Sequence, residues 1–208
     1  EILIGLVGSE MCIRDSYNTL DSIIWMAEGR KYEEVVLMTA SLARLLRQSI
    51  SNEDEVVPLA REVEYAKGYL TIQKMRYKDK LEFEIDVEPS ILNIPLIKLV
   101  LQPIIENAIY HGLKYKESKG LLQVKGFMKD GNAVLQVIDN GVGMDEETLS
   151  HIYDKHKVNY HSNGVGVYNV QKRLKLYYGE NYGITYESEK GVGTTATITI
   201  PGIQEESI

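Results

Sequence analysis

Hydrophobic positions along the chain follow one period up to Tyr77 and another from Leu81 onward. In the first stretch, Val35, Thr39, Leu42, Leu46 and Ser49 recur at alternating steps of four and three, as do Val63, Ala66, Leu70, Gln73 and Tyr77. That is the seam spacing of packed helices and predicts two arms of a helical hairpin. Ser51-Asn52-Glu53-Asp54 supplies turn and cap residues between the arms, and Gly29-Arg30 interrupts an earlier short helix. Seam spacing does not count chains, so these faces suit an intramolecular core and a dimer interface equally.

From Leu81 the period becomes two. Leu81, Phe83, Ile85 and Val87 alternate with Glu82, Glu84 and Asp86, which predicts a strand with one wet face, ended by Pro89. Ile94 to Leu113 returns to helical spacing, with Leu96, Val100, Ile104 and Ala108 on one face, Pro95 in the first turn and Gly112 near the end. Pro103 is expected to bend this helix or leave one carbonyl free. Strands follow over Leu121–Met128 and Ala133–Asp139, joined by an Asp130-Gly131-Asn132 turn. After a polar stretch from Met144 to Asn163 come a helix over Val165–Tyr178 and strands over Ile184–Ser188 and Thr194–Ile200, the last two linked by Gly191-Val192-Gly193. The order predicts an α+β chain: a helical hairpin, then a mixed sheet covered on one face by helices.

Composition narrows the choice of function. Of 208 residues, 44% are hydrophobic and 25% charged, enough for one good core and a smaller helical element. A net charge of -7 without clustered Lys and Arg argues against a nucleic-acid surface. Cys12 is the single cysteine, so no intrachain disulfide forms and the cytosol is the default compartment. The apolar run Ile2–Val7 is far short of the roughly 20 residues that span a bilayer.

The chemistry concentrates at Asp139-Asn140-Gly141-Val142-Gly143. Asp139 ends a hydrophobic strand, where its carboxylate can meet the donor edge of a base such as the adenine amine, and Gly141 and Gly143 remove side chains from the approach. Taken alone, Asp-Asn-Gly is better read as a tight turn after a strand. Asn107, near the end of the preceding helix, offers a hard oxygen to Mg²⁺, which takes much of its shell from water and nucleotide phosphates. His111 shares its face at i+4. Singly, these two residues would also serve as a cap and a helix-end histidine. Gly164-Val165-Gly166 opens a helix whose free N–H groups can meet a phosphate. Thr194 and Thr195 offer hydroxyls at the start of the final strand. His151, Lys155, His156, Lys157 and His161 occupy a stretch of little apolar content, either a lid with cations toward phosphates or a solvated loop.

Four of these segments read together resemble a known family. Leu101-Gln102-Pro103-Ile104-Ile105-Glu106-Asn107-Ala108, Asp139 to Met144, Asn163 to Gly166 and Gly191 to Thr194 are similar to the N, G1, G2 and G3 boxes of the GHKL ATPase superfamily. Val170 to Gly179 and Tyr69 to Tyr77 resemble the LytS/YehU type of sensor histidine kinase within it, and the likeness runs from Tyr17 to about Pro201. The resemblance implies a Bergerat-type α/β sandwich binding ATP and Mg²⁺, with Asn107 on the metal, Asp139 on adenine and the Gly164 pair hinging an ATP lid. It also implies a dimerising phosphotransfer hairpin, a response-regulator partner and a bacterial inner-membrane sensor whose cytoplasmic part this is. On this basis residues 17–79 form the helical dimerisation and phosphotransfer region, and 80–208 the ATP-binding domain.

At the front the chain departs from the family. Tyr17-Asn18-Thr19-Leu20 fits the second half of a Pro-His-Phe-Leu-Tyr-Asn-Thr-Leu acceptor motif, but Ile13-Arg14-Asp15-Ser16 precedes it, with Arg14 in the histidine's place. A guanidinium stays protonated and offers no nitrogen lone pair to a phosphoryl group. Leu6–Ser16, LVGSEMCIRDS, resembles translated sequencing adapter, so residues 1–16 are expected to be foreign to the protein, which then continues upstream through the histidine into sensor and membrane segments. Three functions follow: a histidine-kinase catalytic part that is inactive in autophosphorylation as written, a nucleotide-binding pseudokinase, or another GHKL ATPase. Pro103 stands where a self-contained ATPase needs its general base, and Glu106, next to Asn107, is turned about 100° around the helix.

Overall fold

The computed structural model describes residues 17–50, 55–152 and 164–202. The expectations for Arg14 and residues 1–16, for the 51–54 turn, and for Lys155, His156, Lys157 and His161 lie outside these residues. The chain divides into two compact units, Glu1–Glu53 with Lys67–Lys78, and Asp54–Ala66 with Asp79–Ile208.

In the first unit, helix α1 covers residues 17–28. It ends where the sequence predicts, because Arg30 adopts the left-handed conformation (φ 55°), with Lys31 N–H donating to Met26 O at 2.9 Å and Arg30 N–H to Ala27 O at 3.0 Å. That pair of bonds satisfies the last carbonyls of the helix. Helix α2 is Tyr32–Ile50, with Glu33 and Glu34 at its positive end. Among its described side chains, Met38, Ser41 and Leu42 are buried. Thr39 is exposed, its hydroxyl satisfied by Val35 O at 2.8 Å, so the expected seam is one residue off there: the thioether is buried and the self-satisfied hydroxyl faces outward. Leu20, Ile24, Trp25, Val36 and Leu37 are exposed, Trp25 by 79%.

Strand β1 (Val56–Pro58) and helix α3 (Leu59–Tyr77) follow. The second unit holds β1, the start of α3 and a five-stranded sheet ordered β2-β4-β5-β7-β6. Its strands are β2 Leu81–Val87, β4 Gly120–Lys129, β5 Asn132–Asp139, β6 Gly183–Glu189 and β7 Gly193–Pro201. A short β3, Pro95–Ile97, pairs antiparallel with β1. The main sheet is mixed, with β2 parallel to β4 and the other neighbours antiparallel. Between β4 and β5, Asp130 (φ 49°) and Gly131 (φ 78°) form a two-residue turn with both φ positive, the geometry that follows strand twist.

Alternation along the strands sends Leu122, Val124, Leu135, Val137, Ala196 and Ile198 into the core. Helices α4 (Leu101–Asn107) and α6 (Gly164–Tyr178) cover that face, contributing Ile104, Ile105, Val170 and Leu174. Each fully buried aliphatic side chain of this kind stabilises the fold by roughly 1.5–3 kcal/mol. The other face is polar, with Gln136 Nε2 donating to Thr197 Oγ1 at 3.3 Å.

The helix predicted over Ile94–Leu113 is shorter. Its first residues run extended as β3, and α4 starts at Leu101, which puts Pro103 in the first turn, where a missing N–H costs nothing. Past Asn107 the helix widens into a π-helical turn, Ala108–Leu113. Such turns recur at functional sites.

Candidate nucleotide site

Asp139 is the last residue of β5, paired with Leu122 of β4 on one side and Thr194 of β7 on the other. This places a carboxylate at the end of an interior strand with only 6% exposure. Its Oδ1 accepts from Gly141 N–H at 2.8 Å. Burial pushes its pKa up from 3.8 to about 6, although the Gly141 and Thr194 amides and the Lys116 charge pull the other way. Lys116 Nζ also donates to Asn140 O.

Two glycines make the approach to this carboxylate. A Cβ on Gly141 would collide with the backbone of Gly112, whose carbonyl accepts from Val142 N–H at 3.0 Å. Gly143 is left-handed (φ 63°), and a Cβ there would overlap the Glu189 carbonyl. The π-helical turn thus closes directly on the loop after β5.

A cavity of about 480 Å³ opens between α4, the π-turn and the sheet. Asn107, His111, Asp139, Gly143 and Thr194 line it, together with Met144 and Tyr186. A short helix, α5 (Glu146–Ser150), lies at its edge and contributes Glu147, Thr148 and, just beyond it, His151. Asp145 caps α5: its Oδ1 accepts from Thr148 N–H at 3.1 Å and Thr148 Oγ1 at 2.6 Å, and its Oδ2 meets Lys190 Nζ at 3.1 Å. The Thr148 bonds and Lys190 hold the Asp145 carboxyl down at about 2. Ser188 joins two of the wall segments, since its Oγ accepts from Met144 N–H at 2.8 Å and lies 2.9 Å from Thr194 Oγ1.

Asn107 Oδ1 is buried and has no hydrogen-bond partner. An unsatisfied buried acceptor costs about 1–3 kcal/mol, and an unpaired amide oxygen on a residue that lines the cavity is a hard ligand of the kind that suits Mg²⁺. Among the described residues no group of three or more His, Cys, Asp or Glu is placed to hold a metal. Burial, and secondarily Lys114, lowers the His111 pKa, favouring a neutral imidazole in the cavity.

Some expected site residues stand elsewhere. Thr195 lines a groove on the opposite sheet face with Gln123 and Ile138, because neighbours on a strand point to opposite sides. Glu106 is buried and bonded to Gln102 Nε2 at 2.9 Å, turned away from the cavity by its place beside Asn107. Gly164 and Gly166 stand at the start of α6, and a Cβ on Gly166 would make only ordinary contact with Pro103 at 3.5 Å. Gly141 donates its N–H to Asp139 Oδ1 at 2.8 Å but is not among the residues that line the cavity. Tyr186 joins the lining unforeseen, although the inward alternation from Ile184 marks it. Gly112 does so too, and a Cβ there would meet Asp139 Oδ1 at 2.7 Å.

Residues 93–204 match the family model described as histidine kinase-, DNA gyrase B- and HSP90-like ATPase, and residues 16–81 match a histidine kinase model. Sensor histidine kinase YesM of Bacillus subtilis is 34% identical over 185 residues, covering 89% of this chain and 31% of that protein. Sensor protein LytS of Oceanobacillus iheyensis is 34% identical over 143 residues, 67% of this chain and 24% of that one. Sensor histidine kinase BtsS of Escherichia coli K12 is 27% identical over 187 residues, 90% and 30%. The chain therefore spans about a third or less of these relatives. Among solved structures, the catalytic domain of histidine kinase ThkA aligns at TM-score 0.56 and 16% identity over 72% of this chain and 99% of that one. The histidine kinase domain of a blue-light activated histidine kinase from Erythrobacter litoralis aligns at 0.52 and 13% identity over 88% and 94%. These likenesses establish the fold.

Proposed function

The chain belongs to the histidine kinase-, DNA gyrase B- and HSP90-like ATPase family, and from that premise we propose that the cavity beside Asp139 binds Mg-ATP as the phosphoryl donor of a two-component sensor histidine kinase. The observation that supports this most is the pairing of a buried, raised-pKa Asp139 with an unpaired Asn107 Oδ1 in one cavity. Asp139 accepts from the adenine amine, and its bond from the Gly141 N–H orients the carboxylate beforehand. Asn107 offers its oxygen to the metal, and neutral His111 presents an imidazole beside it. Bound there, ATP supplies the γ-phosphoryl group and Mg²⁺ neutralises charge on it. The chain's part is positioning and electrostatics, with α5 sheltering one edge of the cavity.

Residues 17–79 serve as the dimerisation and phosphotransfer region and 80–208 as the ATP-binding domain. Exposure of Leu20, Ile24, Trp25, Val36 and Leu37 on the first unit favours homodimerisation through those helices. The acceptor is a histidine in the position held here by Arg14, so this chain is inactive in autophosphorylation. A response-regulator aspartate is the onward acceptor, and the complete protein is anchored upstream in the bacterial inner membrane. Among the described residues no helix is long and apolar enough to cross a membrane.

Calorimetric titration with ATP, with and without Mg²⁺, tests the site. Wild type is expected to bind, and Asp139→Ala to lose binding; retained affinity in that variant would refute the adenine assignment.

A further inference from the structure

Glu62 is 2% exposed, although it is a carboxylate outside the cavity. It sits on the first turn of α3, and its two oxygens collect the backbone N–H groups that open α4. Oε1 accepts from Leu99 at 2.9 Å, and Oε2 from Val100 at 2.9 Å and Leu101 at 3.1 Å. Leu99 is left-handed (φ 60°) and Val100 right-handed (φ -96°, ψ -51°). A left-handed residue followed by a right-handed one turns successive N–H groups to one side and makes a concave anion site. Here an anion from the same chain fills it.

Local chemistry does not account for the arrangement. The α4 N-cap residue Val100 has no side chain able to cap, and none does, so the first amides of α4 depend on a residue 37 to 39 positions upstream. A left-handed leucine is strained, because its Cβ comes too close to a carbonyl oxygen. Leu99 is 41% exposed, and the bond from its N–H to Glu62 favours this conformation. Burial pushes the Glu62 pKa up, while the three amides and the Arg173 charge favour the ionised form.

From this concavity α4 runs without interruption to Asn107 and passes into the π-turn that bears His111. The geometry points to Glu62 as a positioning residue for the nucleotide cavity: its carboxylate fixes the start of α4 and thereby the seat of Asn107 and His111. This inference rests on the nucleotide reading of the cavity.

Three variants of the 208-residue chain test it: Glu62→Gln, Glu62→Asp and Glu62→Gln with Leu99→Gly. The measurements are the Kd for ADP with Mg²⁺, and amide hydrogen exchange over residues 99–107 and over β5 and β7. Glu62→Gln turns an NH₂ group toward amide donors and is expected to weaken binding by about tenfold, less than the roughly hundredfold that a 1 Å misplacement costs a reaction rate. Exchange should rise over 99–107 while β5 and β7 keep wild-type protection. Leu99→Gly removes the left-handed strain and is expected to restore part of the affinity. Glu62→Asp keeps the charge but not the reach and should fall between; it decides on the same readouts if Glu62→Gln does not fold. Binding within twofold of wild type despite faster exchange at 99–107 would make Glu62 a structural cap alone and overturn the inference. Equal loss of protection throughout the unit would also overturn it. Wild type that binds no ADP would overturn the nucleotide reading and this inference together.

Discussion

Replacing Asp139 by Asn separates what this carboxylate costs the fold from what it does for a ligand. Burial raises its pKa from 3.8 to about 6, a difference worth about 3 kcal/mol. Because the folded-state pKa lies above the unfolded one, Asp139's favourable contribution is fully present below pH 3.8 and is lost as pH rises through about 6. Asn carries no such dependence. It occupies nearly the same volume, and its Oδ1 can still accept from Gly141 N–H. Urea denaturation of both proteins from pH 4 to 8 is expected to show Asp139→Asn gaining on wild type by about 2 kcal/mol across that range, levelling off above pH 7. A poorly paired Asn amino group would shift the whole difference curve by a constant and leave its slope. ATP binding should move oppositely, since losing a hydrogen bond to a charged group costs about 1.5–3 kcal/mol, roughly 10- to 150-fold in Kd. A difference curve flat with pH would refute the buried-carboxylate argument. Undiminished ATP binding would refute the role in adenine recognition.

Three further outcomes follow from the same geometry. Asn107→Ala removes the orphaned acceptor and is expected to abolish the Mg²⁺-dependent gain in ATP affinity while leaving the melting temperature of the free protein unlowered; a preserved gain would remove Asn107 from the metal. Gly141→Ala drives a methyl into the Gly112 backbone and is expected to cost about 1–3 kcal/mol as overpacking, with loss of binding, read by denaturation and calorimetry. Asp145→Ala frees the start of α5, so amide exchange over residues 145–152 should rise and ATP dissociate faster, with the sheet unaffected.

The sheet was legible because strand alternation is decided locally. Each of β2, β4, β5, β6 and β7 buries one face, and Leu81–Val87 shows it in seven residues. Asp139, Asn107 and His111 were legible because strand end and helix spacing bring them to one place. Part of what was missed depends on tertiary contact. Ile94–Leu99 has helical spacing, but pairing with β1 and the Glu62 bonds draw it into a strand and a left-handed turn. Glu62 itself looks like any exposed charge on a helix, and nothing local marks the concavity that accepts it. Thr195 was grouped with Thr194 for its hydroxyl, whereas pleating sends the two to opposite sides. Thr39 fitted the seam by spacing, yet its own backbone bond let it face outward.

The central claim is that this chain is the donor half of a histidine kinase whose acceptor position holds Arg14. The direct measurement is phosphate incorporation from γ-labelled ATP into the chain carrying Ile13→Pro, Arg14→His, Asp15→Phe and Ser16→Leu, beside the chain as it stands. Acid-labile, alkali-stable label is expected in the substituted chain alone, and none when Asp139→Ala is added. A substituted chain that binds ATP yet stays unlabelled would contradict the account.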